Sequence, residues 1–226
     1  MSTAEEKPSA GTPARRVGHG RSYLPRIIGA AIIVALVGAM AASTRWLNAE
    51  QVDALTPKPF SPTEFAAQKF PEIQQKVIEK AVDATELAPA LATDAAAAGA
   101  KFGVDSGSGK FTIPVKAEGT VASVDENWIV LDTPGVKGFT VRVPVGTTIS
   151  GNPIRDVTGD IHFGDFTDQT TYQEVANQLK LLVQSEIMDK LPKDQLEGKT
   201  LSVHGAFTTG GAPNQIIIQP VQVEVR

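Results

Sequence analysis

The run Ile27–Ala42 constrains this chain more than any other stretch of it. With Ser43 and Thr44 it makes 18 residues without a charge. As a helix rising about 1.5 Å per residue it reaches about 27 Å, just enough to cross a hydrocarbon layer about 30 Å thick. Every turn of that helix is apolar, through Ile27, Ile28, Ile32, Ile33, Leu36 and Met40 among others. A core helix of a globular body keeps one polar face, and this one has none. Arg15, Arg16, Arg21 and Arg26 precede the run, and Arg45 and Trp46 follow it. Trp46 stands at the level where an interfacial aromatic belongs.

Charge is divided by the run. Residues 1–45 hold six Lys/Arg against two Asp/Glu, and residues 46–226 hold 15 against 23. The positive-inside rule keeps the N-terminus in the cytoplasm and exports the rest. The expected address is a bacterial inner membrane, crossed once by Ile27 to Ala42, with the C-terminal part in the periplasm or outside. A second reading stays open. Ala39-Met40-Ala41 is a small-x-small site, and cleavage after Ala41 would free the exported body. Against it, the run is longer than the 7–15 apolar residues of a typical signal peptide. Arg15-Arg16 is followed by Val-Gly-His, which lacks the apolar residues of a twin-arginine signal.

The acidic exported part opposes binding of nucleic acid or an anionic membrane surface by charge alone. No cysteine is present. Disulfides, thiolate catalysis, cysteine zinc sites, iron–sulfur clusters and acylation at a cysteine are therefore excluded for this sequence. No cofactor is expected.

Four segments follow from composition and period. Residues 1–23 read as a basic, disordered cytoplasmic tail and residues 24–46 as the transmembrane anchor. Residues 47–105 read as a small helical subdomain with a joint, and residues 106–226 as an α/β domain. In the helical segment, Ser61-Pro62-Thr63-Glu64 is a helix start with a capping box. Pro71 is expected to open a second short helix burying Ile73, Val77 and Ala81. Another helix is expected over Ala90–Ala98, stopped by Gly99. Gly103–Gly109 reads as a flexible joint. Its Ser106-Gly-Ser-Gly-Lys110 lacks the spacing of a phosphate loop.

From Phe111 the period changes to two. Val115, Ala117, Gly119 and Val121 alternate with polar residues; Trp128–Leu131 follows a turn; Phe139, Val141, Val143 and Val145 alternate again. A helix is expected from the capping box of Thr171 and Glu174 to near Leu191. Two more strands follow, the last with a phase change across Pro220 that indicates a bulge or a bend round a barrel. Three strands, a helix and two strands is the connectivity of an OB-like five-stranded barrel, with a helix between strands three and four. The fold class is α+β; a generic five-stranded sheet is the alternative.

No catalytic residues are expected. Asp160, His162 and Asp165, in Asp160-Ile-His-Phe-Gly-Asp-Phe-Thr-Asp168, are the candidate metal ligands, since carboxylates with one imidazole can hold a divalent ion. The competing reading is a loop pinned by Ile161, Phe163 and Phe166 with its polar residues in water. Trp128, Arg142 and Arg155 are the candidate ligand-binding residues. Arginine can clamp a carboxylate, phosphate or hydroxyl, and tryptophan can stack on a sugar ring. A surface ion pair and a core aromatic are the competing roles. Neither Gly-x-Ser-x-Gly nor His-Glu-x-x-His occurs.

Gly119-Thr-Val121, Trp128-Ile-Val-Leu-Asp132, Ile154-Arg-Asp156, Ile161-His-Phe163, Asp165-Phe166 and Gln169 together resemble an uncharacterised bacterial family of periplasmic lipoproteins, a domain of unknown function often encoded beside sugar ABC importers. The resemblance covers Ser61 to Arg226. It implies a helical piece joined to an OB-like subdomain, and a partner among inner-membrane transporter components. It supplies no catalytic residues. This sequence departs from many relatives in lacking the lipid-carrying cysteine, so the apolar run takes the place of the anchor. The function expected is a membrane-anchored, non-enzymatic binding or accessory component of a solute importer. The alternative is an exported metal-dependent hydrolase using the Asp160/His162/Asp165 loop.

Overall fold

The computed structural model describes residues 24–44, Asn48 and residues 59–226. The expected tail, Trp46 and nearly all of the connector after it lie outside the described residues. Two compact units divide at Pro59/Phe60. In the first, helix α1 spans Leu24–Ser43. Its stretch Arg26–Ser43 buries no residue and is long and apolar enough to cross a membrane. At its end the hydroxyls of Ser43 and Thr44 donate to the carbonyl of Met40, at 3.0 and 2.7 Å. They add to the backbone N–H of Thr44, which donates to the same carbonyl at 3.0 Å.

The second unit opens with α2, Pro62–Lys80, where Ser61 caps the backbone N–H of Glu64 at 3.3 Å and Pro62 takes the first position. The helix runs through Pro71 instead of breaking there. Proline deletes the bond to the carbonyl four residues back. Here Pro71 and Ala67 are both exposed, so water serves the freed carbonyl while Phe70, Ile73 and Val77 stay buried. Strand β1 (Val82–Asp83) leads to α3 (Ala84–Thr93) and α4 (Ala95–Phe102). The single helix expected over Ala90–Ala98 is divided by Asp94, whose carboxylate accepts from Ala96 and Ala97 N–H and starts α4 afresh. Gly99 lies within α4 instead of stopping it, and a Cβ there would sit 2.4 Å from the ring of Phe111. The expected joint is a hairpin. Strand β2 (Val104–Gly107) turns back through positive φ at Gly107, Ser108 and Gly109 and pairs with β3.

Strand β3 (Lys110–Val124) is the spine of the barrel, its inward residues Val115, Ala117 and Val121 alternating with exposed Lys116, Glu118 and Thr120. It pairs antiparallel with β4 (Trp128–Asp132) and with β6 (Thr200–Thr208). Strand β5 (Thr140–Pro144) pairs with β4. The last strand does two jobs. Its first piece, β7 (Gln215–Ile217), runs parallel to β5, and its second, β8 (Gln219–Val225), runs antiparallel to β6. The order β7-β5-β4-β3-β6-β8 is therefore a closed circuit carried round by one bent strand. The register slips between His204 and Gly205, opposite Gln222 and Pro220, which is the phase change legible at Pro220. A Cβ on Gly205 would meet the Gln219 carbonyl at 2.2 Å, so only glycine admits the bend. The five expected strands are present, the fifth in two pieces, and β1 and β2 are additional.

Helix α5 (Asn152–Asp156) and the long α6 (Gln169–Glu186) fill the crossover between β5 and β6. Asp168, not Thr171, caps α6 through the Thr171 N–H at 2.8 Å. Gly151 lets α5 approach closely, since a Cβ there would fall 1.7 Å from the Ala176 carbonyl oxygen. One continuous core joins helices and barrel, including Phe70, Leu87, Ile129, Ile154, Leu179 and Ile216. Helices α2–α6 lie against β1–β3, β6 and β8, leaving β4, β5 and β7 as the open side.

Candidate functional site

The open side carries two of the expected ligand-binding residues. The inward phase of β4 and β5 is taken by Ile129, Leu131, Val141 and Val143, all buried. Trp128, Val130, Thr140 and Arg142 occupy the outward phase and are half-buried. Register sets Val130 opposite Arg142 and Trp128 opposite Pro144, so Trp128 is a diagonal neighbour of Arg142. The guanidinium carbon stands 5.8 Å from the centre of the Trp128 ring, within cation–π range. On the other side of β5, Thr140 pairs with Gln215 and Arg142 with Ile217.

Arg142 is unusual in its bonding. Its Nε is shielded from solvent and has no hydrogen-bond partner. A shielded donor without an acceptor forfeits about 1–3 kcal/mol. The site thus holds a cation, a ring beside it, and a shielded donor whose bonding the fold leaves unmet.

Arg155 sits elsewhere and is braced inside the fold. It is 5% exposed on α5. Its Nε and Nη2 donate to the two carboxylate oxygens of Asp156 at 2.7 and 3.1 Å, and Nη1 to the Tyr172 carbonyl at 3.4 Å. The guanidinium stacks 3.6 Å from the centre of the Tyr172 ring, and the Tyr172 hydroxyl donates to Asp156 Oδ1 at 3.3 Å. Burial first, then the Asp156 charge, pushes the Tyr172 hydroxyl above its ordinary range. The cluster is a staple between α5 and α6, with three of the five guanidinium N–H groups taken up inside the fold.

The metal candidates are placed apart in bonding. Asp160 Oδ2 accepts from Lys76 Nζ of α2 at 2.6 Å, and that hydrogen bond holds its carboxyl below the usual range. Asp165 Oδ2 accepts the backbone N–H of His162 at 2.9 Å. Asp168 is the cap of α6. Among the described residues, no group of three or more His, Asp or Glu is placed to hold a metal ion. The loop instead packs by its aromatics. Phe166 meets Phe60, Phe65 and Tyr172, with ring centres 5.4–5.5 Å apart, and Phe163 meets Tyr172.

A cavity of about 520 Å³ lies where α3 and α4 meet the mouth of the barrel. Leu91, Phe139, Phe207 and the loop Gly210–Gln215 line it. No motif marks these residues. The sequence signal was confined to a Gly210-Gly211 turn, and the helical wall is far away along the chain.

A family model for a "Predicted periplasmic lipoprotein (DUF2291)" matches residues 31–224. The chain belongs to this family. The predicted periplasmic lipoproteins place it among envelope proteins, in agreement with the resemblance drawn from the Trp128–Asp132 and Ile154–Gln169 motifs. A crystal structure of an OB-fold protein from Thermotoga maritima superposes with a TM-score of 0.62 at 20% identity, covering 75% of this chain and 100% of that one. At that identity the likeness establishes the fold alone. A comparison with curated proteins finds no match. This DUF2291 member contains no cysteine to which a lipid could be attached.

Proposed function

We propose that the chain is a tethered, non-enzymatic binding component of the bacterial envelope, serving as an accessory to a solute importer. Helix α1 crosses the inner membrane once and carries the OB-type body on its outer face. The open side of the barrel, centred on Trp128 and Arg142, binds the partner or ligand. One observation carries this reading: Arg142 lies on the uncovered strands with its Nε shielded and unbonded. Binding that turns the Arg142 side chain so that an acceptor reaches this donor removes a standing deficit. The aromatic beside it supplies apolar area without a further charge to desolvate. The importer connection draws on the family resemblance alone.

The test is affinity purification of the full chain from bacterial membranes in mild detergent, read by mass spectrometry. Transporter components co-purify with the native chain. Their recovery falls at least tenfold with Arg142→Ala or Trp128→Ala at equal protein level. Repeated recovery of no transporter component removes the importer from the account, and equal recovery with both variants moves the binding face elsewhere.

A further inference from the structure

We propose that the cavity at the mouth of the barrel is a second binding site, and that it takes a small uncharged ring bearing hydroxyl groups. It has its own lining and shares neither Trp128 nor Arg142. About 520 Å³ lies within the range of small-molecule sites, and a seam between a helical layer and a barrel mouth is where such sites concentrate.

The lining specifies the ligand. Leu91 and Phe207, both less than a tenth exposed, form an apolar floor with half-buried Phe139. Such a floor suits the C–H face of a ring. Asn214 and Gln215, each carrying a carboxamide, belong to the polar part of the lining. Neither side chain is hydrogen-bonded within the described residues. A carboxamide offers donors and an acceptor together, which matches a hydroxyl that must both give and accept. Asn214 adopts a positive φ of 55° just before β7 begins.

Charge is missing from the lining altogether. A charged ligand on this apolar floor would lose hydration with no opposite charge to replace it. The aliphatic stem of Lys110 runs beside Gly210. A Cβ on Gly138 or Gly211 would meet nothing within 4 Å, so open space adjoins the main chain at both. Glycine at such places lets a ligand approach the main chain.

The experiment uses the full chain in lipid nanodiscs, which avoids competition from sugar-headed detergents, and saturation-transfer NMR. The uncharged probes are methyl β-D-glucopyranoside and methyl β-D-ribofuranoside, set against D-glucuronate and D-glucosamine. At least one uncharged probe shows saturable transfer, and the charged pair shows at least tenfold less. Ala92→Phe, which fills the cavity from an exposed position, and Gln215→Leu, which removes a carboxamide, each weaken the signal at least tenfold with an unchanged circular dichroism spectrum. No transfer from either uncharged probe, equal transfer from the charged pair, or transfer that survives Ala92→Phe overturns the proposal.

Discussion

Arg142 and Arg155 each lie against an aromatic ring, and the difference between them separates binding from bracing. Arg155 makes three hydrogen bonds and a stacking contact with Asp156 and with Tyr172 of α6. Removing it leaves the Asp156 carboxylate, whose side chain is 19% exposed, without its counter-charge. Arg155→Met is expected to cost about 3 kcal/mol of unfolding free energy, and Arg155→Met combined with Asp156→Leu to recover most of that. Chemical denaturation followed by circular dichroism measures both. Arg142 behaves oppositely. Its Nε contributes no hydrogen bond to the fold. Arg142→Leu therefore leaves stability within about 1 kcal/mol of the native chain, or raises it, in the same assay. A large loss would make Arg142 a structural residue and withdraw it from the binding face. Both arginines were visible in the sequence as candidates. What separates them is bonding to a neighbour in one case and its absence in the other, and composition does not carry that.

Elements were legible where one local rule acted alone. The alternation over Val115–Val121 and the apolar stripe Val175, Ala176, Leu179 and Val183 of α6 appear as read, because each has a single face to bury. Boundaries shifted where two rules competed. Thr171 and Asp168 both satisfy a capping pattern, and Asp168 wins because its carboxylate reaches both the N–H and the hydroxyl of Thr171. Proline was read as a breaker at Pro71, yet its cost falls on an exposed side. The pairing of β1 and β2 with β3 comes from tertiary proximity, which leaves no period in such short segments. The mouth cavity went unread for the same reason, since its two walls are brought together only by the closed fold. The β6–β8 ladder adds a pH response. His204 lies between Lys116 on β3 and Gln222 on β8, with Glu224 near it. Burial first, then the Lys116 charge, lowers its pKa from 6.5, while Glu224 opposes the shift. A histidine with a depressed folded pKa stabilises the fold above its unfolded pKa and loses that contribution as pH falls through the folded one. Thermal stability is accordingly expected to decline as pH drops below about 6.5, and His204→Gln to flatten that part of the profile. An unchanged profile in the variant would assign the acid sensitivity to other groups.

The molecule as a whole joins an apolar helix to a closed barrel whose helices cover one side and leave β4, β5 and β7 open. Its family is described as periplasmic lipoproteins, and this sequence contains no cysteine to carry a lipid. The proposed account gives the tethering role to α1, and so depends on the peptide bond after Ala41 remaining intact. Cleavage there would produce a free body with the same binding face and no fixed position beside a membrane partner. Intact-mass spectrometry of the protein recovered from carbonate-washed membranes, after protease treatment of whole spheroplasts as a parallel sample, decides this. The account predicts that the washed membranes hold a chain still containing Ile27–Ala42, and that external protease removes the barrel. A mature chain beginning at Ala42 and found in the soluble periplasmic fraction would contradict it.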